Sequence, residues 1–407
     1  MNRFKFLKWG IGIFFLLLWG VASAQDTLSV EKAIATALNN NYDILLSRQD
    51  SASVAISNEY RSAVFLPTLN ANSTLLFNSN AQRSKFASGK DTTRTGIHTS
   101  NLNASLNLNW TLFDGLRMFI ARDRLDVTMI RGNLVIKNQV VNTVSDVIKT
   151  YYDIVRQQQQ LKNVQEQMTL SADRLRLAQY KLDIGVGIKP DVLQAEIDFN
   201  TQHAAQINQL SIIDQRKHDL NRLMNVPQTV NYEVSDTILL TSDLVLGDLM
   251  KGIEETSPTL RLARTDIDLA HLDVREAKEQ RFPTIGFTSA YSFSRNTNNS
   301  VVNPIAQALF NQNRGFNYGL TASIPIFNRF TVKQQIRQAE LAVDYSQLQL
   351  ENQQSIVNTN ILNNYRTYIA QKEIVAVNDS SVVLARENLN IERERYRLGA
   401  TTFIELR

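Results

Sequence analysis

The sequence predicts an α+β membrane protein: long α-helices form a coiled-coil barrel, and four strands per chain contribute to a transmembrane β-barrel shared between protomers. Three observations carry that prediction. The chain is internally duplicated at a spacing of 214 to 216 residues. Each copy contains a long run without glycine or proline, with apolar residues at every seventh position. Each copy also contains two uncharged segments in which apolar and polar residues alternate.

The N-terminus has the layout of an export signal. Arg3, Lys5 and Lys8 precede an apolar run from Trp9 to Trp19, and Ala22-Ser23-Ala24 follows it. This order predicts cleavage after residue 24, leaving Gln25 first. An uncleaved anchor is the alternative, but the run is shorter than the roughly 20 residues a spanning helix needs. No later segment reaches 18 continuous apolar residues, so any membrane span must be built from strands. Without residues 1–24 the chain has 40 basic against 39 acidic residues. That balance is no electrostatic footprint for nucleic acid. With no cysteine, disulfides, thiolate metal sites, a cysteine nucleophile and an acylated N-terminal cysteine are excluded.

The duplication is visible motif by motif. Phe65-Leu66-Pro67-Thr68-Leu69 recurs as Arg281-Phe282-Pro283-Thr284-Ile285, 216 residues on. Leu112-Phe113-Asp114 recurs as Ile326-Phe327-Asn328, and Lys181-Leu182-Asp183-Ile184-Gly185 as Arg395-Tyr396-Arg397-Leu398-Gly399, both 214 apart. Six residues past each of these glycines stands an acid, Asp191 and Glu405. So long a period excludes a solenoid and predicts a duplicated domain: a first repeat over 25–225, a linker over 226–243 and a second repeat over 244–407. Copy one continues to about Asn225, whose counterpart would fall near position 439, so the second repeat is expected to be truncated at its C-terminus by about 32 residues.

Residues 330–398 contain no glycine or proline, a run of 69. As a single helix it would extend roughly 100 Å. Copy one has the same kind of run from Asn133 to Ile184. Val140, Val147, Ile154, Leu161, Met168, Leu175 and Leu182 recur every seventh residue, and Ile361, Tyr368, Val375, Val382, Leu389 and Tyr396 repeat the last six. A sustained seven-residue period predicts left-handed coiling about neighbours. Adjacent apolar doublets such as Val382-Val383 widen the stripe, as suits a helix with neighbours on two sides.

The alternating segments are expected over Leu69–Phe77, Leu102–Leu112, Ile285–Phe293 and Phe316–Ile326, with a charge-free polar face of Asn, Ser, Thr and Gly. About 10 residues suffice for a tilted strand across a bilayer. A half-buried sheet in a soluble protein shows the same alternation, but the helices here are too polar to cover an apolar sheet face. Four strands cannot close a barrel, and open edges in hydrocarbon cost several kcal/mol per unpaired group, so the sheet must be shared between chains. Arg83, Lys85, Lys90, Asp91 and Arg94 are expected in a loop between strands, outside the cell.

With these elements in order, the chain resembles the TolC-like outer-membrane efflux protein family over essentially its whole length after the signal. The resemblance implies a homotrimer with a 12-stranded barrel in the outer membrane and a helical tube in the periplasm. It implies no catalysis and no cofactor. It further implies a periplasmic adaptor (membrane fusion) protein and an inner-membrane pump or type I secretion transporter as partners, with outer-membrane lipid around the strands. By position, the turns Gly185-Val186-Gly187 and Gly399-Ala400-Thr401 match the periplasmic tips that meet the adaptor. Asp191, Tyr396 and Glu405 match a gate at the closed aperture. Asp191 reads equally well as an acid favoured at a helix N-terminus. Copy one has Lys181-Leu182 where copy two has Arg395-Tyr396, and so lacks the aromatic. Thr401 stands where some relatives carry arginine, which argues against a charge-locked gate. Trp110, Phe113 and Phe327 are either interfacial aromatics or junction packing.

Other constellations carry no chemistry. Asp266, Asp268, His271 and Asp273 would spread around a helix rather than converge on a metal. His98, His203 and His218 lack ligand spacing. Ser88-Gly89-Lys90-Asp91 is no phosphate loop, because Ser84 holds the first glycine's place. The competing functional reading is a periplasmic coiled-coil adaptor or fibre without a pore. An enzyme is a distant third, and the exported substrate is not readable.

Overall fold

The computed structural model describes residues 27–87, 89–229, 232–235, 243–302, 308–398 and 400. The expected signal segment 1–24 lies outside them, as does much of the linker. The chain divides into two compact units, one formed by Gln49–Val135 and Gly252–Asn358, the other by Met1–Arg48, Ile136–Lys251 and Thr359–Arg407.

The first unit is built on a four-stranded antiparallel sheet, β2 Thr68–Lys85, β3 Asp91–Phe113, β5 Thr284–Asn298 and β6 Phe310–Ser323, in the order β2-β3-β5-β6. The expectation of 10- to 12-residue uncharged strands is corrected here: the strands are 18, 23, 15 and 14 residues long. Arg83, Lys85, Asp91 and Arg94 belong to strands rather than to a loop, and only Lys90 sits in the hairpin turn, where its carbonyl accepts from Phe86 N at 2.9 Å. The physical reason is that register 83↔93 and 85↔91 keeps the ladder paired to its tip, and solvated charges do not interrupt an antiparallel ribbon. β6 stops at Ser323, short of the expected Ile326; Pro325, which has no N–H to give a ladder, follows.

A helix precedes β2 and β5, and a helix follows β3 and β6. They are α2 Tyr42–Glu59, α3 Arg117–Asp183, α7 Pro258–Glu279 and α8 Thr331–Arg397. Within this unit α2 meets α3 where Gly132 faces Ser51, whose Oγ lies 3.3 Å from the point a Cβ on Gly132 would occupy. Arg61, in the 3-10 turn Arg61–Phe65 after α2, pairs with Asp126 of α3. α3 meets α7 through Arg124 with Asp273 and Glu276, and through Arg131 with Asp266 at 2.7 Å. α7 meets α8 through Ala270, Val274 and Val343. The expected start of the copy-one helix at Asn133 is therefore corrected by sixteen residues to Arg117. Glycine costs an exposed helix about 1 kcal/mol, but here it permits close approach of α2.

The second unit contains α1 Val30–Asn40, the later part of α3, α4 Lys189–Met224, the C-terminal part of α8 and a two-residue parallel pair, β1 Thr27–Leu28 with β4 Glu233–Val234. Ser29 caps α1 by accepting from Lys32 N at 3.3 Å. Ala33, Ala37, Val147, Tyr151, Ile154, Leu220 and Leu223 are among the residues of its core. Tyr151 is buried, donating from its hydroxyl to Leu28 O at 2.7 Å and accepting from Ser235 N at 3.1 Å, so one side chain fastens both β1 and β4 to α3. Burial holds its phenol above the ordinary tyrosine range. Buried Asn41 donates to Leu223 O at 2.8 Å and accepts from Asp43 N and Ile44 N, joining the α1–α2 corner to the end of α4. Short helices α5 Leu246–Met250 and α6 Ile253–Thr256 lead into α7.

The seven-residue row is buried or half-buried along α3, with Val147 and Ile154 fully enclosed. Along α8, Ile361 and Tyr368 are half-buried, while Val375, Val382 and Leu389 are exposed. No helix among the described residues is long and apolar enough to cross a membrane.

Candidate functional site

The sheet has two chemically distinct faces, fixed by register. Leu75 opposes Leu102, Leu106 opposes Tyr291, Trp110 opposes Phe287, and Tyr291 opposes Phe316, which gathers the apolar residues on one face. The other face pairs Asn70 with Asn107, Asn72 with Ser105 and Thr288 with Gly319. Side chains there bond locally: Asn107 Nδ2 donates to Ser105 Oγ at 2.9 Å, and Asn317 Oδ1 accepts from Ala290 N at 3.1 Å. Phe77, Phe316, Tyr318 and Leu320 are each at least 66% exposed, so nothing among the described residues covers this part of the apolar face. β2 and β6 are the outer strands of the sheet, each with one edge unpaired.

At the base of the sheet the chain turns sharply into the long helices, and it does so twice in the same way. Gly115 and Leu116 have φ of 77° and 73°, and Arg329 and Phe330, 214 residues on, have 52° and 63°. Two successive left-handed residues are rare, so the repeated bend is a property of the fold. At Gly115 an added Cβ would lie 2.5 Å from Glu279 O and 2.9 Å from Phe282 Cβ. Asp114 Oδ1 accepts from Met118 N at 3.2 Å, capping α3. Trp110 donates from Nε1 to Phe65 O at 2.8 Å. Phe113 is half-buried, while Phe327 is exposed and edge-to-face with Phe330.

At the far end of α3 the chain reverses into α4. Ile184 N donates to Tyr180 O, and Gly185 N, Val186 N and Gly187 N turn back onto Leu182 O and Lys181 O at 2.9 to 3.0 Å. A Cβ on Gly187 would meet Lys181 and Leu182 backbone atoms at 2.8 to 2.9 Å. Main-chain closure leaves Ile184, Val186 and Ile188 pointing into solvent. Two of these bonds recur at an offset of 214, from Leu398 N to Glu394 O and from Ala400 N to Arg395 O. Gly399, Thr401 and Glu405 lie outside the described residues, and Tyr396 falls in the last turn of α8. Asp191 is half-buried in the first turn of α4, with its N–H on Ile188 O at 3.2 Å.

The dismissed acidic cluster is occupied by ion pairs, since Asp266 and Asp273 bind Arg131 and Arg124. No group of three or more metal-binding side chains forms among the described residues. Sequence reasoning missed Tyr151 and the left-handed pair at 329–330; the Tyr151-Tyr152 doublet in an otherwise polar helix was the available signal for the first.

A family model described as "Outer membrane efflux protein" matches residues 33–226 and 249–407. The chain belongs to that family. The outer membrane protein TolC of Salmonella enteritidis is 22% identical over 320 residues, covering 76% of this chain and 63% of that protein. The proteases secretion protein PrtF of Dickeya chrysanthemi is 22% identical over 189 residues, covering 44% of this chain and 39% of that protein. The crystal structure of the outer membrane protein VceC from Vibrio cholerae superposes with a TM-score of 0.71 at 14% identity, covering 93% of this chain and 88% of that one. The chain thus has the fold of that outer membrane protein, while spanning less than two thirds of the length of the curated relatives it matches.

Proposed function

We propose that this protein is an outer-membrane channel of an efflux or type I secretion system, conducting substrates passively rather than transforming them. The observation that carries the reading is the sheet: one uncovered apolar face, one polar face with almost no charge, and two unpaired edges. Lipid on one side and water on the other satisfy both faces, and pairing with further copies satisfies the edges. Three copies of four strands make a 12-stranded barrel, with the long helices forming a tube in the periplasm. The layout divides into a cleaved signal over 1–24, repeats over 25–225 and 244–407, and a linker over 226–243. The turns at 185–187 and 399–401 dock a periplasmic adaptor, which couples the channel to an inner-membrane pump or type I transporter. The three aliphatic side chains exposed beside the first turn support this. Asp191, Tyr396 and Glu405 form the gate at that end, and Trp110, Phe113 and Phe327 sit at the membrane boundary.

Native mass spectrometry of the membrane-extracted protein tests the assembly. A trimer of chains beginning at Gln25, recovered with outer-membrane barrels, is expected. A monomer, dimer or soluble species would remove the shared barrel and favour a periplasmic coiled-coil protein.

A further inference from the structure

The duplication supplies an internal comparison at the base of the sheet, where each repeat has a cavity beside its strand-to-helix bend. In repeat one, Phe65, Trp110, Leu116 and Phe119 are among the residues that line a space of about 240 Å³. Its wall is mostly apolar, and the Phe65 and Phe119 ring centroids lie 5.1 Å apart. At the offsets of 216 and 214, the counterparts of these two rings in repeat two are Arg281 and Lys333. They line a cavity of about 630 Å³ together with Lys278, Arg337, Ile326 and Phe330. Lys278 stands where repeat one has Ser62, and Arg337 where it has Asp123. None of the four cations therefore belongs to the plan that the two repeats share.

The charge around this cavity is unbalanced. Glu340 is the acid that lines it, and it lies 3.8 Å from Lys278. Arg281, Lys333 and Arg337 form no ion pair among the described residues; Arg281 donates from Nε to Lys278 O at 3.2 Å, which holds it at the end of α7. Like charges around one opening repel, and an anion among them turns each interaction attractive. The volume falls within the about 300–1,000 Å³ of ordinary ligand sites. Ile326 is 95% and Phe330 68% exposed, so the same cavity offers an apolar wall beside its cations. Trp110 opposes Phe287 on the apolar face of the sheet and also lines the repeat-one cavity, which places that cavity at the helix end of the apolar face. The duplication gives its repeat-two counterpart the same face and level on β6. The repeat-one cavity is lined by repeat-one residues alone, although β3 is paired with β5 of repeat two. By the same relation, a further copy paired with β6 leaves the repeat-two cavity open.

We propose that Lys278, Arg281, Lys333 and Arg337 hold the phosphate of an anionic phospholipid, whose acyl chains lie along Ile326, Phe330 and the apolar face of the sheet. The proposal rests on the channel reading, which sets that face against lipid and puts the cavity at the leaflet on the helical side. Arginine supplies paired N–H donors that match phosphate oxygens, and lysine a compact charge. A cation close to an anionic surface changes association by about fivefold, so removing the three that lack an acidic partner changes it by more than about tenfold.

The test uses the full chain assembled in detergent, with bound lipid read by native mass spectrometry. The probes are phosphatidylglycerol, diacylglycerol with the same acyl chains, and inorganic phosphate. Wild type is expected to bind phosphatidylglycerol at least about tenfold more tightly than diacylglycerol. The R281F/K333F variant, which installs the residues that repeat one carries at the equivalent places, is expected to lose that preference. R281Q/K333Q/R337Q should lose it without added aromatic bulk, while Arg314→Gln, on β6 outside the cavity, retains it. The lipid comparison on wild type stands even if a variant fails to assemble. Inorganic phosphate that displaces phosphatidylglycerol at equal concentration overturns the lipid as occupant. Equal binding of phosphatidylglycerol and diacylglycerol, or equal loss of the preference in Arg314→Gln, overturns the site and leaves the channel intact. A chain that forms no membrane-inserted oligomer overturns both.

Discussion

Replacing Gly115 by alanine tests the bend between sheet and helix at its tightest point. Two costs combine there. A left-handed residue with a Cβ costs about 1–2 kcal/mol. The new methyl would also lie 2.5 Å from Glu279 O, which accepts the Phe282 N–H at 3.0 Å. Relieving that contact means displacing a bonded main-chain carbonyl, comparable to overpacking at about 1–3 kcal/mol. The total is about 2–5 kcal/mol. Gly185→Ala supplies the control, because Gly185 has φ of 78° with nothing within 4 Å of the added Cβ. It should therefore show the backbone cost alone. Guanidinium unfolding in detergent of wild type and both variants reads the difference, expected at about 1–3 kcal/mol. Equal destabilisation by the two substitutions would refute the close approach of Gly115 to the end of α7.

Tyr151→Phe strands Leu28 O and Ser235 N, which should cost about 1–3 kcal/mol and speed amide exchange at Ser235; an unchanged exchange rate would dissociate the hydroxyl from the strand pair. The Asp243 carboxylate accepts from Lys372 Nζ at 2.6 Å, and that hydrogen bond holds its pKa below the usual value while raising that of Lys372. A depressed carboxyl contributes above its unfolded pKa and loses its contribution as pH falls through the depressed value. Protection of amides around residue 243, measured against the intrinsic exchange rate at each pH, should therefore fall on acidification, and Asp243→Asn should remove that loss. Val186→Glu, at a side chain 71% exposed, should change stability by less than about 0.5 kcal/mol yet reduce cross-linking to the proposed adaptor; undiminished cross-linking would remove the first turn from the proposed docking surface.

The long helices and the alternating strands were legible because burial repeats with a period that composition reveals. The 331–397 helix emerged almost to the residue from the absence of glycine and proline. What was hidden depends on contacts distant in sequence. Gly132 looked like the limit of a helix, because nothing in sequence shows Ser51 beside it. Arg83 and Asp91 looked like a loop, because charge was taken as a sign of irregular backbone rather than of a solvated ladder; their pairing across eight positions keeps the ribbon regular. The turn at 185–187 was legible from its glycines, whereas the bend at Arg329 and Phe330 was not, since neither residue advertises a left-handed backbone. The proposed gate positions stayed open for a related reason: in a shared assembly, which side chains converge depends on further copies.

The two unpaired edges of the sheet have a kinetic consequence. Until β2 and β6 find partners, each offers a row of free donors and acceptors to any extended chain it meets, the arrangement that seeds edge-to-edge aggregation. Surface charge does little to blunt this along their shared central stretch, because the cations of β2 sit at its tip and β6 carries one. If the barrel is shared between copies as proposed, a newly exported chain is in a race between correct closure and promiscuous pairing, and the outcome depends on how quickly further copies arrive. Slow, stoichiometric delivery to the membrane favours closure, whereas a burst of synthesis favours deposits. Yield of functional protein should peak at modest expression and fall as synthesis outruns assembly.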